Sequence, residues 1–281
     1  MAIHKLVEMC WMEVDNLNRE KNVALLPISP VEAHGPHLPL GTDIFCATDI
    51  AQCAANILMD RAPDIDVILG PPIPLGCAGS AADFPGTISL RGRTLKHLVV
   101  DVLGSFVDHG FNNILLVNHH LEPIHMKAIL SAIDKFSAHR HVRIAEVCSR
   151  VVYAGVKTDL ADVIKEMGLD MHTELHADVK ETSFIKRYYP ELLKLLYKEL
   201  PPVLIDTRKC RSEGRTTFKQ MGAERGYMGS PAAAQDDLGR RHLEAYGEMT
   251  AELSLKLIGA NPLPEMNPKV VEFLKNHVVL D

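Results

Sequence analysis

Short apolar runs alternate with longer segments of helical periodicity along this chain of 281 residues. The apolar runs are typical of buried strands, and they comprise Asn22–Ile28, Ile65–Leu69, Asn113–Val117 and Val142–Val147. Apolar residues at helical spacing predict helices over residues 44–59, 94–107, 123–136, 159–167, 179–189, 231–258 and 270–277. Because strands that alternate with helices form βαβ units, the pattern predicts a three-layer α/β/α sandwich with a mostly parallel central sheet.

The segments between these elements carry turn-forming residues. Residues 71–85 are rich in Gly, Pro and Ala, and residues 201–230 contain four glycines, so both segments are predicted to be loops. The chain contains no internal repeat, low-complexity segment or linker-like stretch that would mark a boundary. We therefore predict one domain over residues 1–281.

Charge and composition narrow the classes of function. The formal net charge is −6 and the pI about 6.2, and no Lys/Arg-rich block is present, which argues against nucleic acid or an anionic membrane as the partner. The N-terminus lacks the apolar run of a signal peptide, and no apolar stretch is long enough to span a membrane. Six scattered cysteines without a CxxC pair indicate a reducing compartment, so we predict a cytoplasmic protein.

Ionisable side chains cluster just beyond the ends of predicted strands, where ligands collect in open α/β sheets. After the first strand, Glu32 and His34 lie two residues apart in a loop rich in Gly and Pro, and Asp43 begins the next helix. A carboxylate at that position can offer its two oxygens to two different ions. Taken alone, each of these residues is more simply explained as a helix cap or a surface polar group.

A second cluster follows the strand at residues 113–117. His120 and Glu122 repeat the spacing of two residues at a strand-to-helix junction. Imidazole and carboxylate ligands suit Zn²⁺, Mn²⁺ or similar ions, and the absence of cysteine ligands argues against a structural zinc site. Farther along, His176 lies in a loop before a helix, where it is a proton carrier, a substrate contact or a helix-capping residue. Since no segment matches a short metal motif such as HExxH, spacing predicts a metal site without identifying its reaction.

Longer motifs around these residues resemble the creatininase (creatinine amidohydrolase) family. The loop after the first strand reads Pro27-Ile-Ser-Pro-Val-Glu32-Ala-His34-Gly-Pro-His37-Leu-Pro39 and is followed by Thr42-Asp43. The family's F-P-G-T-x-S-L, G-F-x-x-I, N-x-H, H-A-x-x-x-E-T-S and G-x-x-G motifs follow in the same order, as Phe84–Leu90, Gly110–Ile114, Asn118–His120, His176–Ser183 and Gly226–Gly229. The resemblance extends from residue 22 to about residue 258.

The resemblance implies an α/β/α sandwich that assembles as a homohexamer and holds two divalent ions, Zn or Mn, with Fe as an alternative. Carried over by position, Glu32, Asp43 and His120 would hold the first ion. His34, Asp43 and Glu122 would hold the second, so that Asp43 bridges the two ions.

The same resemblance implies a hydrolase. Two ions that share a water would lower its pKa from about 15.7 toward neutrality, and the bridging hydroxide would attack a carbonyl carbon. His176 and Glu122 are the implied catalytic residues, with His176 passing a proton to the leaving group. His37, His125 and Glu181 are candidates for contacts with the substrate.

The chain also departs from the family pattern. Ser29-Pro30 replaces the usual Gly-Ser, His119 stands where the family has Gly, and Pro123 stands where Asn is common. Creatininase itself places tryptophans over its substrate, whereas the only tryptophan here, Trp11, is far from the motifs. We therefore expect a small-molecule substrate with a C–N bond in a cyclic or linear amide, rather than creatinine. The alternatives are a cyclic ketone or lactone, such as an oxidised inositol, and an inactive metal-binding family member.

Overall fold

A sheet of five parallel strands forms the centre of the structure, a computed structural model that describes residues 2–281. The strands are β1 (Ile3–Lys5), β2 (Asn22–Pro27), β3 (Asp66–Leu69), β4 (Asn113–Val117) and β5 (Arg143–Glu146). They lie in the order β1-β3-β2-β4-β5, and each pairing is parallel. The four predicted strands are confirmed to within about two residues. The strand β1 was not predicted, because three residues are too few to show a pattern.

Helices connect the strands, and further helices come after the last strand in the chain. They are α1 (Trp11–Asp15), α2 (Thr42–Arg61), α3 (Gly92–Asp108), α4 (Pro123–Ile133), α5 (Val147–Val151), α6 (Leu160–Glu166), α7 (Val179–Tyr188), α8 (Thr207–Ser212), α9 (Phe218–Met221), α10 (Asp236–Ile258) and α11 (Pro268–His277). The prediction of an irregular segment at residues 201–230 was partly wrong, since it contains α8 and α9. The last long helix begins later than predicted, because residues 231–233 form a separate 3₁₀ turn.

Alternate side chains of the central strands enter two different cores. In β2, Val23 and Leu25 pack in the core that includes α2, α7 and α10, whereas Ala24 and Leu26 pack in the core that includes α3 and α4. Every residue of β2 and β4 is buried, as expected for parallel strands covered on both faces. The three-layer α/β/α sandwich predicted from the sequence is thereby confirmed.

The carboxyl ends of β2 and β4 lie side by side at the centre of the sheet. Pro27 of β2 pairs with Val117 of β4. After β2 the chain adds β3 on one side of it and then crosses over to add β4 on the other side. This is the switch point at which open α/β sheets bind ligands. The loops that carry Glu32 and His120 therefore leave the sheet next to each other.

Within residues 2–281, no helix is both long enough and apolar enough to cross a bilayer. All six cysteines are free thiols. The cytoplasmic location and the single domain stay predictions.

Candidate metal centre

The switch point brings four buried ionisable side chains together. Glu32 and His34 come from the loop after β2, Asp43 is the second residue of α2, and His120 comes from the loop after β4. All four are at most 6% exposed. Gly41, rather than Asp43 or Thr42, is the N-cap residue of α2, so the Asp43 carboxylate is not used as a helix cap.

The side chains form two groups that share Asp43. Glu32, Asp43 and His120 place ligand atoms within 4.8 Å of one another, and so do His34, Asp43 and Glu181. A third group of this kind joins Glu32 and His34 to His176. The grouping matches the two ion sites implied by the resemblance, except that Glu181 takes the place expected for Glu122.

The hydrogen bonds of His120 fix which of its nitrogens faces the first group. Its Nε2 donates to the carbonyl of Cys77 at 2.9 Å, so in a neutral imidazole the Nδ1 atom carries only a lone pair. That Nδ1 lies 3.1 Å from Glu32 Oε1 and 3.2 Å from Asp43 Oδ2. Lone pairs that face one another at this distance repel unless a cation or proton lies between them.

His34 presents the same arrangement to the second group. Its Nδ1 donates to the backbone carbonyl of Glu32 at 3.0 Å, which leaves Nε2 with a lone pair. This Nε2 lies 3.5 Å from Asp43 Oδ1 and 3.8 Å from Glu181 Oε2. The two oxygens of Asp43 therefore face different groups, as expected of a bridging carboxylate.

Buried polar atoms without partners show that the centre fits divalent ions. Within the described residues, both carboxylate oxygens of Glu32, Nε2 of His34 and Oδ2 of Asp43 have no hydrogen-bond partner. Leaving a buried polar atom unpaired costs about 1–3 kcal/mol, and here the unpaired atoms converge. Metal–ligand bonds of about 2.0–2.2 Å separate neighbouring ligand atoms by roughly 3–3.5 Å, close to the distances of 3.1 to 3.8 Å in the two groups.

The charges in the centre also favour cations. Burial lowers the pKa of His34, but the carboxylates of Asp43, Glu181 and Glu32 outweigh burial and raise that pKa to about 10. In the same way, Glu32 and Asp43 hold the pKa of His120 well above its ordinary value against the effect of burial. Burial raises the pKa of Asp43, yet His34, His119 and His120 keep it well below its ordinary value. Positive charge is therefore stabilised at this position.

His176 reaches the centre from the loop before α7. Its Nε2 donates to the carbonyl of Ala33 at 2.8 Å, which leaves Nδ1 free to accept a proton. That Nδ1 lies 3.6 Å from Glu32 Oε1, and the ring of Phe218 covers His176 at 4.5 Å between centroids. His176 thus presents an unprotonated nitrogen to the centre from a partly apolar pocket.

The helix-capping alternative for His176 is wrong. The N-cap of α7 is Asp178, whose side chain accepts from the backbone amides of Lys180 and Glu181. Ala177, which lies between His176 and Asp178, has a left-handed backbone (φ 47°), a conformation that is uncommon outside glycine. Its amide donates to Glu181 Oε2 at 2.6 Å. With this turn, the side chains of His176 and Glu181 both face the centre.

The structure places Glu122 away from the two groups. Its carboxylate oxygens accept from the backbone amides of Gly79 and Ser80 at 3.0 and 2.9 Å. These amides begin a 3₁₀ turn (Gly79–Ala81) and have no partner within it, which is why a carboxylate is stable there. Both Glu122 oxygens thus bind the loop beside the centre, and Glu122 belongs to none of the groups of candidate ligands among the described residues.

The other candidates for substrate contact are also placed by hydrogen bonds. His37 is fully buried, and its Nε2 lies 2.9 Å from the Thr182 hydroxyl. His125 is fully buried, its Nδ1 accepts from the Cys77 amide at 3.3 Å, and its ring packs edge-on against His120. His125 therefore packs against a residue of the first group, whereas His37 contacts Thr182 next to Glu181 in sequence. Glu181, the third candidate, lies in the second group itself.

Sequence reasoning did not find the neighbours that come from distant elements. His119 lies next to Asp43, and His242 of α10 lies against His119. Phe218 covers His176 from α9. Adjacency to His120 was the one signal that pointed to His119, whereas a histidine inside a long helix carries no signal of its own.

The fold and the site together define an α/β/α protein with a buried carboxylate–histidine centre suited to divalent ions. Comparison with known proteins identifies the family. The chain belongs to the creatininase family, described as creatinine amidohydrolase, whose model matches residues 7–254. The resemblance seen in the motifs is thereby confirmed.

Curated relatives differ in what their names describe. A mycofactocin precursor peptide peptidase of Mycolicibacterium smegmatis is 37% identical over 101 residues, which are 35% of this chain and 39% of that protein. The creatinine amidohydrolase of Pseudomonas putida is 28% identical over 203 residues, 67% of this chain and 73% of that protein. A 3-dehydro-scyllo-inosose hydrolase of Thermotoga maritima is 26% identical over 189 residues, 66% of this chain and 56% of that protein.

Solved structures share the fold. A creatininase described as "Creatininase Mn" superposes with a TM-score of 0.70 at 20% identity, covering 90% of this chain and 97% of that one. A mutant creatininase of Zn–Zn type superposes with a TM-score of 0.69 at 20% identity, with the same coverage. At this level of identity the similarity establishes the architecture alone.

Proposed function

We propose that this protein is a dinuclear metal-dependent hydrolase that cleaves a C–N bond in a cyclic or linear amide. One observation carries the proposal. Buried lone-pair atoms of Glu32, His34 and Asp43 that have no hydrogen-bond partner among residues 2–281 converge on two positions. Family membership and the manganese and zinc forms of structural neighbours support it.

The structure favours a ligand set that differs at one position from the set implied by the resemblance. Glu32, Asp43 and His120 would hold the first ion, and His34, Asp43 and Glu181 the second. Divalent ions held there would lower the pKa of a shared water and polarise the substrate carbonyl. The Zn, Mn or Fe identity of each ion is a matter for elemental analysis.

The protein's own residues supply the proton transfer and the shape of the site. Nδ1 of His176 accepts a proton beside Glu32 and delivers it to the leaving nitrogen. Its ring cannot turn freely, because Nε2 is bound to Ala33 and Phe218 packs on one face. Glu122 holds the loop at residues 79–81 against the centre.

Within this class, a substrate larger and more apolar than creatinine is favoured. Leu121 separates His120 from Glu122 and is 39% exposed, and Leu175 directly precedes His176 and is 40% exposed. Exposed leucines beside site residues suit an apolar substrate group, such as a side chain of a peptide. The similarity to a peptide peptidase is in keeping with this, whereas the similarity to an inosose hydrolase supports the cyclic ketone as the alternative.

Metal content and turnover, measured on one preparation, test the proposal. We expect two divalent ions per chain and hydrolysis of members of a panel of cyclic amides, formamides and short apolar peptides. A chelator should abolish turnover, and added Zn²⁺ or Mn²⁺ should restore it. Full turnover with at most one ion would refute the dinuclear centre. Two ions with cleavage of lactones or cyclic ketones alone would refute the amide substrate, and two ions without turnover on any panel would favour an inactive family member.

Two further expectations belong to the proposal. The resemblance implies a homohexamer, and light scattering at micromolar concentration should give six times the chain mass of 31.1 kDa. A monomer mass would contradict it. The expected partner is a small molecule, with neither nucleic acid nor membrane involved, in keeping with the net charge of −6.

A further inference from the structure

A buried pair of histidines lies beside Asp43. His119 comes from the loop after β4 and His242 from α10, and their Nε2 atoms are 2.9 Å apart. The His119 side chain is 7% exposed and His242 is 1% exposed. The pair therefore connects the end of the sheet to the long helix that covers it and is largely shielded from bulk water.

The other nitrogen of His119 faces the metal centre. Its Nδ1 lies 3.3 Å from Asp43 Oδ1 and 3.7 Å from Glu181 Oε1. Asp43 Oδ1 is the oxygen that also faces His34, and a carboxylate oxygen has a second lone pair for a hydrogen bond. His119 thus lies between His242 and the carboxylate that the two groups share.

Packing fixes the orientation of His242. Tyr246, one turn farther along α10, stacks on its ring at 4.9 Å with an interplanar angle of 21°. Phe184 of α7 meets it edge-on at 6.1 Å. With both contacts in place, the ring holds Nε2 toward His119 in one rotamer.

Hydrogen counting then assigns the protons. Burial, together with His119 and Lys180, lowers the pKa of His242 well below its ordinary value, so the ring is neutral and carries one N–H. His242 Nδ1 has no hydrogen-bond partner within residues 2–281. A proton on Nδ1 would leave a buried donor unsatisfied, which is rare, whereas a proton on Nε2 is used in the bond to His119. His119 accepts at Nε2 and donates from Nδ1 to Asp43.

We propose that His242 and His119 are positioning residues that hold the Asp43 carboxylate so that its two oxygens point to two different ions. The hydrogen bonds run from His242 Nε2–H to His119 Nε2, and from His119 Nδ1–H to Asp43 Oδ1. This inference rests on the proposed metal centre and adds to it residues that bind no ion themselves. Loss of such an outer partner typically weakens metal binding by about 10- to 100-fold.

Calorimetric titration of the metal-stripped protein with Zn²⁺ or Mn²⁺ tests the inference. His119→Ala should weaken binding by about 10- to 100-fold. His119→Asn should keep most of the affinity, because its amide nitrogen lies near the position of Nδ1 and can donate to Asp43. His242→Gln should likewise keep it, since the amide nitrogen can replace Nε2–H, whereas His242→Leu should weaken binding.

A core truncation on the same helix separates this effect from simple destabilisation. Met249→Ala removes a core side chain of α10 that is 9% exposed and lies seven residues, about two helical turns, after His242. It should lower the melting temperature while the metal affinity of the folded protein stays unchanged. Equal weakening of metal binding in Met249→Ala and His119→Ala would overturn the positioning role.

Three outcomes would overturn the inference in other ways. Wild-type metal affinity in His119→Ala would show that the hydrogen bonds from His242 through His119 do not position Asp43. In Co²⁺-loaded protein, a ligand-field change in His119→Ala that His119→Asn does not reverse would show that His119 is a metal ligand. Wild-type protein that binds no ion would instead refute the proposed centre. Even then, nitrogen-15 NMR of the metal-free protein tests the hydrogen bond from His242 to His119, because a proton on His242 Nδ1 contradicts that bond.

Discussion

Two buried glutamates at the same edge of the sheet are built in different ways. Glu146, the last residue of β5, is fully buried, and its two oxygens accept from the backbone amides of Cys148 and Ser149 at 2.8 and 2.6 Å. Glu32, in the loop after β2, is equally buried, but neither of its carboxylate oxygens has a hydrogen-bond partner among residues 2–281.

The difference separates a structural carboxylate from a proposed metal ligand. Glu146 satisfies the free amides at the start of α5, so the protein itself completes its surroundings. Glu32 Oε1 instead faces Nδ1 of His120 and Nδ1 of His176, both of which carry lone pairs rather than protons in the neutral rings. A position after a strand and complete burial are common to both glutamates, whereas only convergence with other unpaired atoms indicates an ion.

The largest expected effect comes from removing the carboxylate that the two groups share. Asp43→Ala should lose both ions and all measurable turnover, because Asp43 Oδ1 and Oδ2 face different groups. Elemental analysis and turnover are measured on the same sample, with circular dichroism as the control for folding. A folded variant that retained two ions would show that Asp43 is as structural as Glu146.

A smaller loss is expected when a residue beside the ions, rather than a ligand, is removed. His176→Ala should retain both ions and lower kcat by roughly 10²- to 10⁴-fold, because Nδ1 of His176 moves the proton. Metal content and kcat are compared with wild type. If kcat were unchanged, His176 would have no part in proton transfer, and if an ion were lost, it would be a ligand in the group with Glu32 and His34.

The structural glutamate should reveal itself in the pH dependence of stability. Burial raises the pKa of Glu146 from 4.5 to about 7, against the hydrogen bonds from Ser149 and Cys148. Between these two pH values the folded protein therefore binds more protons than the unfolded chain. The stabilisation that protonated Glu146 gives to the folded state is complete below pH 4.5 and is lost as the pH rises to about 7. The change is at most about 3 kcal/mol.

Urea unfolding at several pH values measures this dependence. The difference in the free energy of unfolding between wild type and Glu146→Gln should decline from pH 4.5 to 7 and then level off, while metal content stays the same. Parallel curves would show that Glu146 titrates alike in the folded and unfolded states. A loss of metal would place Glu146 with Glu32 instead.

The smallest effect is expected at Glu122, which the structure groups with Glu146 rather than Glu32. Glu122→Ala removes two hydrogen bonds to the loop at Gly79 and Ser80, which should reduce the free energy of unfolding by about 1–3 kcal/mol. Both ions should remain, and KM should rise as the loop loosens. Loss of one ion in this variant would restore the ligand set implied by the resemblance.

The sequence by itself determined the layers of the fold and most of the centre. Apolar runs such as residues 113–117 need burial on both faces, so they specify strands of a covered parallel sheet wherever they occur. The motifs after β2 and β4 gave Glu32, His34, Asp43 and His120, because residues that follow neighbouring strands meet at one edge. Local spacing and the family motifs are together enough for predictions of this kind.

Only the tertiary structure separated two glutamates that follow motif histidines. Glu122 comes two residues after His120 and Glu181 five residues after His176, yet Glu122 accepts from amides more than 40 positions earlier, whereas Glu181 lies 3.8 Å from His34. His242 lies 123 positions from the histidine it contacts. Such contacts depend on how helices pack across the sheet, and no pattern within a short segment encodes that packing.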